Sequence, residues 1–465
     1  MNKKLISLAV AAALVAPAAA MAEAVLYGKL NVSLDYADVR NVILPTYEVR
    51  NVGGRPTLVE TAPGTDYEGW GMSSSGYIPG EGRASRLGVK GSEDLGGGLK
   101  AIYQIELGIN PNDTNNNVLS NTDTISYRNT FVGLAGGWGT ALMGRHDTPM
   151  KISTGKLDLF ADTMADMNGT IGIRDLRADN AIAYISPSFS GFTFAAAIVP
   201  SGGATGGVNT GTTYNATTVY DVLTDTYTTA IVPVNESGLN LEEDSIAGAY
   251  SLAAIYSNGP FYASVAYESL GNEHFNTQNV SLNSSNCPYA TTAPGGGTRY
   301  DCNYVGSDNT AWRIGLGLLD WNGFTLTGVY ENRDNEAAGQ RYLGYVSPTG
   351  ESVRIPGGAE GAELWTIQAG YRFGNAMVKA NYGQGKYDAD INVAGDVVTA
   401  GGRTFRLGNN LNVDYDIETW AVGFDYNFSK RTTAYVLYTD VTDDRVDFVS
   451  GSQWAGFSLG MMHSF

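Results

Sequence analysis

Hydrophobic and polar residues alternate with a period of two over most of the chain. At its end, Phe457, Leu459, Met461, His463 and Phe465 share one parity, and Gly456, Ser458, Gly460, Met462 and Ser464 the other. Side chains alternate across a strand, so this run reads as a strand with one apolar face that ends on an aromatic residue. Trp365, Ile367, Ala369, Tyr371 and Phe373 oppose Thr366, Gln368, Gly370 and Arg372 in the same way. Trp420, Val422, Phe424, Tyr426 and Phe428 oppose Thr419, Ala421, Gly423, Asp425 and Asn427. Near the start, Leu26, Leu30, Val32, Leu34 and Tyr36 oppose Tyr27, Lys29, Asn31, Ser33 and Asp35. About sixteen such segments of ~8–12 residues recur, a length that suits strands crossing a bilayer at a tilt.

The connections alternate between short and long. Short ones fall at 136–139, 186–191, 257–260, 320–323, 374–375 and 429–431. Long ones fall at about 37–82, 110–126, 147–176, 200–244, 271–309, 334–361, 386–415 and 441–452. A soluble β-sandwich also alternates. Here the apolar faces are capped by aromatics at strand ends, and all the long loops lie on one side. The strands run almost to both ends of the processed chain, so the sheet can close and leave no edge in lipid. The pattern predicts an all-β fold, a 16-stranded antiparallel transmembrane β-barrel with long external loops.

Residues 1–22 read as a secretory signal. Lys3 and Lys4 are its positive start, Leu5 to Ala20 its apolar core, and Ala20-Met21-Ala22 its cleavage site. A transmembrane anchor is disfavoured because the apolar run is short and Ala-rich for a span of ~20 residues. Residues 23–465 then form one barrel domain. The formal net charge of −18 becomes more negative once Lys3 and Lys4 are removed. Such an acidic chain argues against nucleic acid as a partner. Cys287 and Cys302 lie in a Gly/Asn/Ser/Pro-rich stretch, and in an exported protein they are expected to form a disulfide. None of the three histidines, His146, His274 and His463, stands near them in a zinc-ligand pattern. No EF-hand spacing is present, so neither a metal nor a cofactor is expected.

Four stretches carry a resemblance to a known family. They are Leu26-Tyr27-Gly28-Lys29; the run Ser85 to Lys100; Arg128 to Leu134 with Trp138-Gly139 and Gly144-Arg145; and His463-Ser464-Phe465. Together they resemble the general bacterial porins of Gram-negative outer membranes. The resemblance implies a homotrimer in the cell outer membrane, surrounded by lipid bilayer and lipopolysaccharide. It also implies passive diffusion of ions and small hydrophilic solutes, and a third external loop, 147–176, that folds into the barrel and narrows it.

An open barrel of this size holds water, and charged side chains at its narrowest point set selectivity. Arg86 and Lys90 oppose Leu87 and Val89, Lys29 opposes Leu30 and Val32, and Arg177 opposes Ile182 and Tyr184. A cation on the lipid face near mid-membrane costs ~2–4 kcal/mol, so these four are expected to face inward. Arg128 shares its parity with Val132 and Leu134, which leaves its direction open. The resemblance points it inward. On that resemblance Lys29, Arg86, Arg128 and Arg177 form the basic wall of the constriction, which Lys90 and Arg174 extend.

The facing wall is expected to be the third loop, with Asp158, Asp162 and Asp166. Their spacing of four puts them on one face if the segment is helical. The loop lacks the Pro-Glu-Phe-Gly segment of the enteric relatives, so which acid meets the basic wall stays open. Charges beyond ~8–10 Å are screened, so the local field outweighs the acidic total, and anions are the expected preference.

Other classes fare worse. A barrel enzyme needs a nucleophile and a base, and His146-Asp147 comes with no nucleophile motif. It reads as a polar strand end, and no enzymatic activity is expected. A sugar-specific channel needs aromatics along the lumen, and those here fall mostly on the outward parity, with only Phe160 in the third loop. An adhesive role for the long loops is compatible with transport.

Overall fold

The computed structural model describes residues 23–43, 46–52, 55–72, 85–109, 111, 125–200, 213–221, 226–234, 246–270, 289–292, 298–301, 309–334, 341–346, 352–357, 361–388, 390–391, 397–400, 403–406, 411–412, 414–444 and 451–465. The expected signal, 1–22, and the cysteines Cys287 and Cys302 lie outside the described residues.

Sixteen strands close into one antiparallel barrel. They are β1 (Glu23–Ile43), β2 (Arg86–Gly96), β3 (Leu99–Ile109), β4 (Ile125–Gly136), β5 (Gly139–Asp147), β6 (Arg177–Ile185), β7 (Phe192–Val199) and β8 (Ala249–Asn258). There follow β9 (Phe261–Ser269), β10 (Thr310–Trp321), β11 (Phe324–Asp334), β12 (Gly361–Phe373), β13 (Ala376–Asp388), β14 (Tyr415–Asn427), β15 (Thr432–Asp443) and β16 (Trp454–Ser464). The last strand pairs with the first from Lys29 opposite Ser464 to Val39 opposite Trp454, which closes the sheet. In lipid only such closure satisfies every backbone group.

β1 runs for 21 residues and divides its other edge. Glu23 to Lys29 pair with β2, and Leu34 to Ile43 pair with the strand Thr65–Met72. The first external loop, expected from residue 37, therefore starts only after Ile43, and its return leg adds a seventeenth strand at the rim.

The outward parity is apolar and uncovered. Leu459 is 51% exposed and Met461 54%, an arrangement suited to hydrocarbon rather than water. Rings meet across neighbouring strands at the long-loop end: Trp312 with Tyr330, Trp365 with Tyr382, Trp420 with Tyr438, and Trp70 with both Tyr36 and Phe457. Trp138, Phe192, Trp321, Phe324 and Phe428 mark the short-turn end. These are the two interface belts of a transmembrane barrel.

The third loop lies inside the barrel. It holds two short helices, α1 (Pro149–Thr154) and α2 (Met167–Thr170). Leu157, Phe160, Met164 and Ile171 are buried against Val329, Leu364, Ile417, Ala421 and Leu437 of the barrel wall. Glycine permits the close approach: a Cβ at Gly456 would sit 2.3 Å from Met164 Cε.

Candidate functional site

A buried charge cluster holds both ends of the third loop. Arg313 on β10 and Glu331 and Arg333 on β11 are at most 5% exposed. Arg313 Nε donates to Glu331 Oε2 at 2.6 Å, and Arg333 Nε donates to Glu331 Oε1 at 2.6 Å. The remaining donors reach the loop. Arg313 Nη1 bonds Thr154 Oγ1 at 2.8 Å and the Met150 carbonyl at 3.2 Å, and its Nη2 bonds the Arg174 carbonyl. Arg333 Nη2 bonds the Gly172 carbonyl, and the Arg174 N–H donates to Glu331 Oε1 at 3.0 Å. Buried ions need such additional bonds to offset their desolvation.

Further along the loop, Gln368 Oε1 accepts from Leu159 N at 2.7 Å, and Lys379 Nζ donates to the Leu159 carbonyl at 2.8 Å. Lys379 also pairs with Asp425 at 2.8 Å. None of these wall residues was singled out from the sequence. Their inward parity was the available signal, because Arg313 stands between Trp312 and Ile314, and Glu331 follows Tyr330.

The expected common face of Asp158, Asp162 and Asp166 does not form. Residues 155–166 run as successive turns, because short acidic side chains bond nearby backbone and compete with a helix. Asp158 accepts from Phe160 N at 2.8 Å, Met167 N at 3.2 Å and Gln368 Nε2 at 3.1 Å. Asp166 caps α2 through Asn168 N at 3.0 Å and accepts the Asp162 N–H at 2.9 Å. Asp162 is the acid of the three that meets the basic wall. Its Oδ2 lies 2.7 Å from Lys29 Nζ and 3.5 Å from Arg86 Nη1. Its backbone takes the left-handed region, with φ at 62°.

A β-bulge decides the direction of Arg128. Ile105 pairs with Thr130 but Leu107 pairs with Tyr127, so Glu106 opposes two residues and the parity of β4 flips. Val132 and Tyr127 both face outward, at 62% and 70% exposure, although their numbers differ in parity. Arg128 therefore points inward, and its Nε donates to Glu106 Oε1 at 2.6 Å. Tyr27 OH donates to the other oxygen of Glu106 at 2.9 Å.

Arg177 pairs with Asp147 at 2.9 Å and donates to Asn129 Oδ1 at 2.8 Å. Lys151 on α1 bridges Asp147 at 3.2 Å and Asp175 at 2.7 Å. Lys90 lies over the Tyr27 ring at 5.1 Å, and with Lys29, Arg86 and Gln104 it lines a recess of about 360 Å³. Arg174 joins the loop anchor instead, on Asn309 at 2.6 Å and Glu268 at 3.6 Å. His146 Nδ1 bonds its neighbour's carbonyl at 2.8 Å, and its ring packs edge-on against Phe131.

Residues 8–446 match the family model of the Gram-negative porins. The chain belongs to the Gram-negative porin family. It is 27% identical over 441 residues to the major outer membrane protein P.IA of Neisseria meningitidis serogroup B, covering 94% of this chain and 93% of that protein. It is 31% identical over 199 residues to the major outer membrane protein P.IB of Neisseria gonorrhoeae, covering 42% of this chain and 47% of that one. Among solved structures, an anion-selective porin from Comamonas acidovorans aligns with a TM-score of 0.53 at 19% identity, over 96% of this chain and all of that one. Salmonella typhi OmpF in complex with daunomycin aligns with a TM-score of 0.52 at 14% identity, over 96% and 98%. At those identities the two structures speak for the fold alone.

The protein is thus an outer-membrane porin, and among the described residues one group of charged side chains links the wall around Lys29 and Arg86 to the third loop. Lys29, Arg86, Arg128, Lys151 and Arg177 pair with Glu106, Asp147, Asp162 and Asp175, and Lys90 lies beside them over the Tyr27 ring. This group holds six cations and four carboxylates, and the separate wall clusters of Arg174, Arg313, Arg333 and Lys379 with Glu268, Glu331 and Asp425 carry further inward charge. The porin also keeps the acids Asp158 and Asp166 within its third loop. Burial pushes the carboxyls of Asp158 and Asp166 up, and the charge of Asp158 pushes Asp166 further, well above the ordinary range.

Proposed function

We propose that this porin forms a water-filled channel through which ions and small hydrophilic solutes diffuse passively, with a charged constriction that favours anions. The contact of Asp162 with Lys29 and Arg86 carries the reading, because it brings the inward loop against the basic wall. Lys29, Arg86, Arg128 and Arg177 supply the positive side, and Lys90 extends it. Asp162, aided by Asp147 and Asp175, supplies the negative side. The field between them orients a polar solute as it passes. A homotrimer embedded in lipid and lipopolysaccharide follows from the family resemblance.

Tyr262, Tyr387, Tyr415 and Tyr435, four inward aromatics, are buried beneath the third loop rather than offered to solute, and Tyr27 at the recess is occupied by Glu106 and Lys90. That placement favours diffusion over a sugar-stacking track. Reconstitution in a planar bilayer tests the channel, and closures in groups of three would mark the trimer. A folded barrel that passes no current would remove the proposal. Asp162→Asn is expected to raise the anion-to-cation permeability ratio about twofold, since it deletes one negative charge beside the ion path. An unchanged reversal potential would remove Asp162 from the constriction.

The acid pair gives a pH dependence. A carboxyl whose pKa is raised on folding binds its proton more tightly in the folded loop. Its contribution to stability is complete below the unfolded value of ~3.9 and is lost as pH rises through the raised value. That same rise adds negative charge next to Asp162. Anion preference should therefore fall as pH climbs above the ordinary carboxylate range. Reversal potentials recorded across that range check this, and Asp166→Asn should flatten the curve.

A further inference from the structure

The ladder along β1 has a gap. On the edge that faces β2, pairing ends at Lys29 opposite Arg86 and resumes at Leu34 opposite Met72 of the rim strand. Asn31 stands in that gap and is fully buried. Unpaired backbone groups there would be costly. The Ser85 hydroxyl fills the gap, accepting from Asn31 N at 2.9 Å and donating to the Asn31 carbonyl at 3.1 Å. The side-chain amide is equally engaged. Tyr435 OH on β15 donates to Asn31 Oδ1 at 3.1 Å, and Asn31 Nδ2 donates to the Asp162 carbonyl at 2.7 Å.

Asp162 is thus held from both sides. Asp166 takes its N–H, Asn31 takes its carbonyl, and the residue sits in the left-handed backbone region between them. An aspartate adopts that region at some cost and needs surroundings that impose it. The contact of its carboxylate with Lys29 is only partly buried, and salt weakens such a pair. The bond from the Asn31 amide to the Asp162 carbonyl joins two neutral groups, so salt weakens it far less. The barrel wall therefore has a means of fixing the loop tip apart from the ion pair.

We propose that Asn31, oriented by Ser85 and Tyr435, is the positioning residue that holds Asp162 at the narrow point and so sets how strongly that carboxylate acts on passing ions. This rests on the reading of the constriction given above. Asn31 itself carries no charge, and it acts through Asp162.

The test is a double-mutant cycle on the reversal potential of the full-length porin in a planar bilayer. The change in permeability ratio caused by Asp162→Asn is measured in the native channel and again beside Asn31→Ala. Residues in one hydrogen-bond network couple, so the Asp162→Asn effect should shrink by at least about twofold in the Asn31→Ala background. Tyr435→Phe removes one hydroxyl and keeps the ring, and it should reduce the effect in the same sense by less. If Asn31→Ala does not fold, the Tyr435→Phe cycle decides alone. Additive effects in the folded variants would overturn the proposal and leave Asp162 a constriction residue that needs no latch. No effect of Asp162→Asn in the native channel would overturn the constriction reading, and the latch with it.

Discussion

Glu331→Ala is expected to cost this porin ~3–5 kcal/mol, the range for removing one partner of a buried ion pair. Arg313 and Arg333 would keep their charges at 1% and 5% exposure with no carboxylate between them. The Arg174 N–H would also lose its acceptor, and both ends of the third loop would be freed together. The folded band in a heat-modifiability gel should collapse at markedly lower temperature, and protease should cut within 148–176. An apolar triple replacement, Arg313→Met with Glu331→Leu and Arg333→Met, should be milder for the barrel because it strands no charge. It should still loosen the loop, since the arginine donors to Met150, Thr154, Gly172 and Arg174 would be gone. A Glu331→Ala barrel as heat-resistant and protease-resistant as the native one would show that the cluster anchors nothing.

Lys29→Glu combined with Arg86→Glu should reverse ion preference. Within the group of six cations and four carboxylates around Asp162, a surplus of two positive charges becomes an excess of two negative ones. A unit charge ~8 Å from a passing ion is worth ~0.5 kcal/mol in water, and about a third of that remains after screening at physiological salt. A four-charge change acts oppositely on anions and cations, so their permeability ratio should move about tenfold. The sign of the reversal potential should change with it. Both substituted residues face Asp162, which loses its partners and is repelled, so conductance should also become noisier. A sign that stays with anions would mean that the ion path does not pass these residues.

The barrel was legible because lipid and water impose one rule over each strand. Leu459 and Met461 against Ser458 and Gly460 is a period-two statement that needs no tertiary information. The same rule placed Lys29, Arg86 and Lys90 inside. It left Arg128 open because a single bulge opposite Glu106 shifts the parity of β4, and a bulge has no periodicity of its own. The third loop was harder still. A spacing of four places Asp158, Asp162 and Asp166 together only on a helix, and side-chain bonds to backbone turned that segment away from one. The anchor at Arg313, Glu331 and Arg333 lay on strands whose direction could be read. Its partners, Met150, Thr154, Gly172 and Arg174, stand 139–163 residues away, and local pattern carries no register across such a distance. The length of β1 was missed for a related reason, since its upper half is fixed by pairing with the rim strand rather than by lipid.

On the proposed mechanism, side chains at the narrow point rather than the acidic total of the chain set which ions pass. The decisive experiment is the reversal potential of the purified native porin across a planar bilayer under a potassium chloride gradient. The sign should report chloride as the more permeant ion, although the full sequence carries a formal net charge of −18. A potential that reports potassium, and stays unmoved when Asp162 is neutralised, would contradict this mechanism and return selectivity to the acidic external loops.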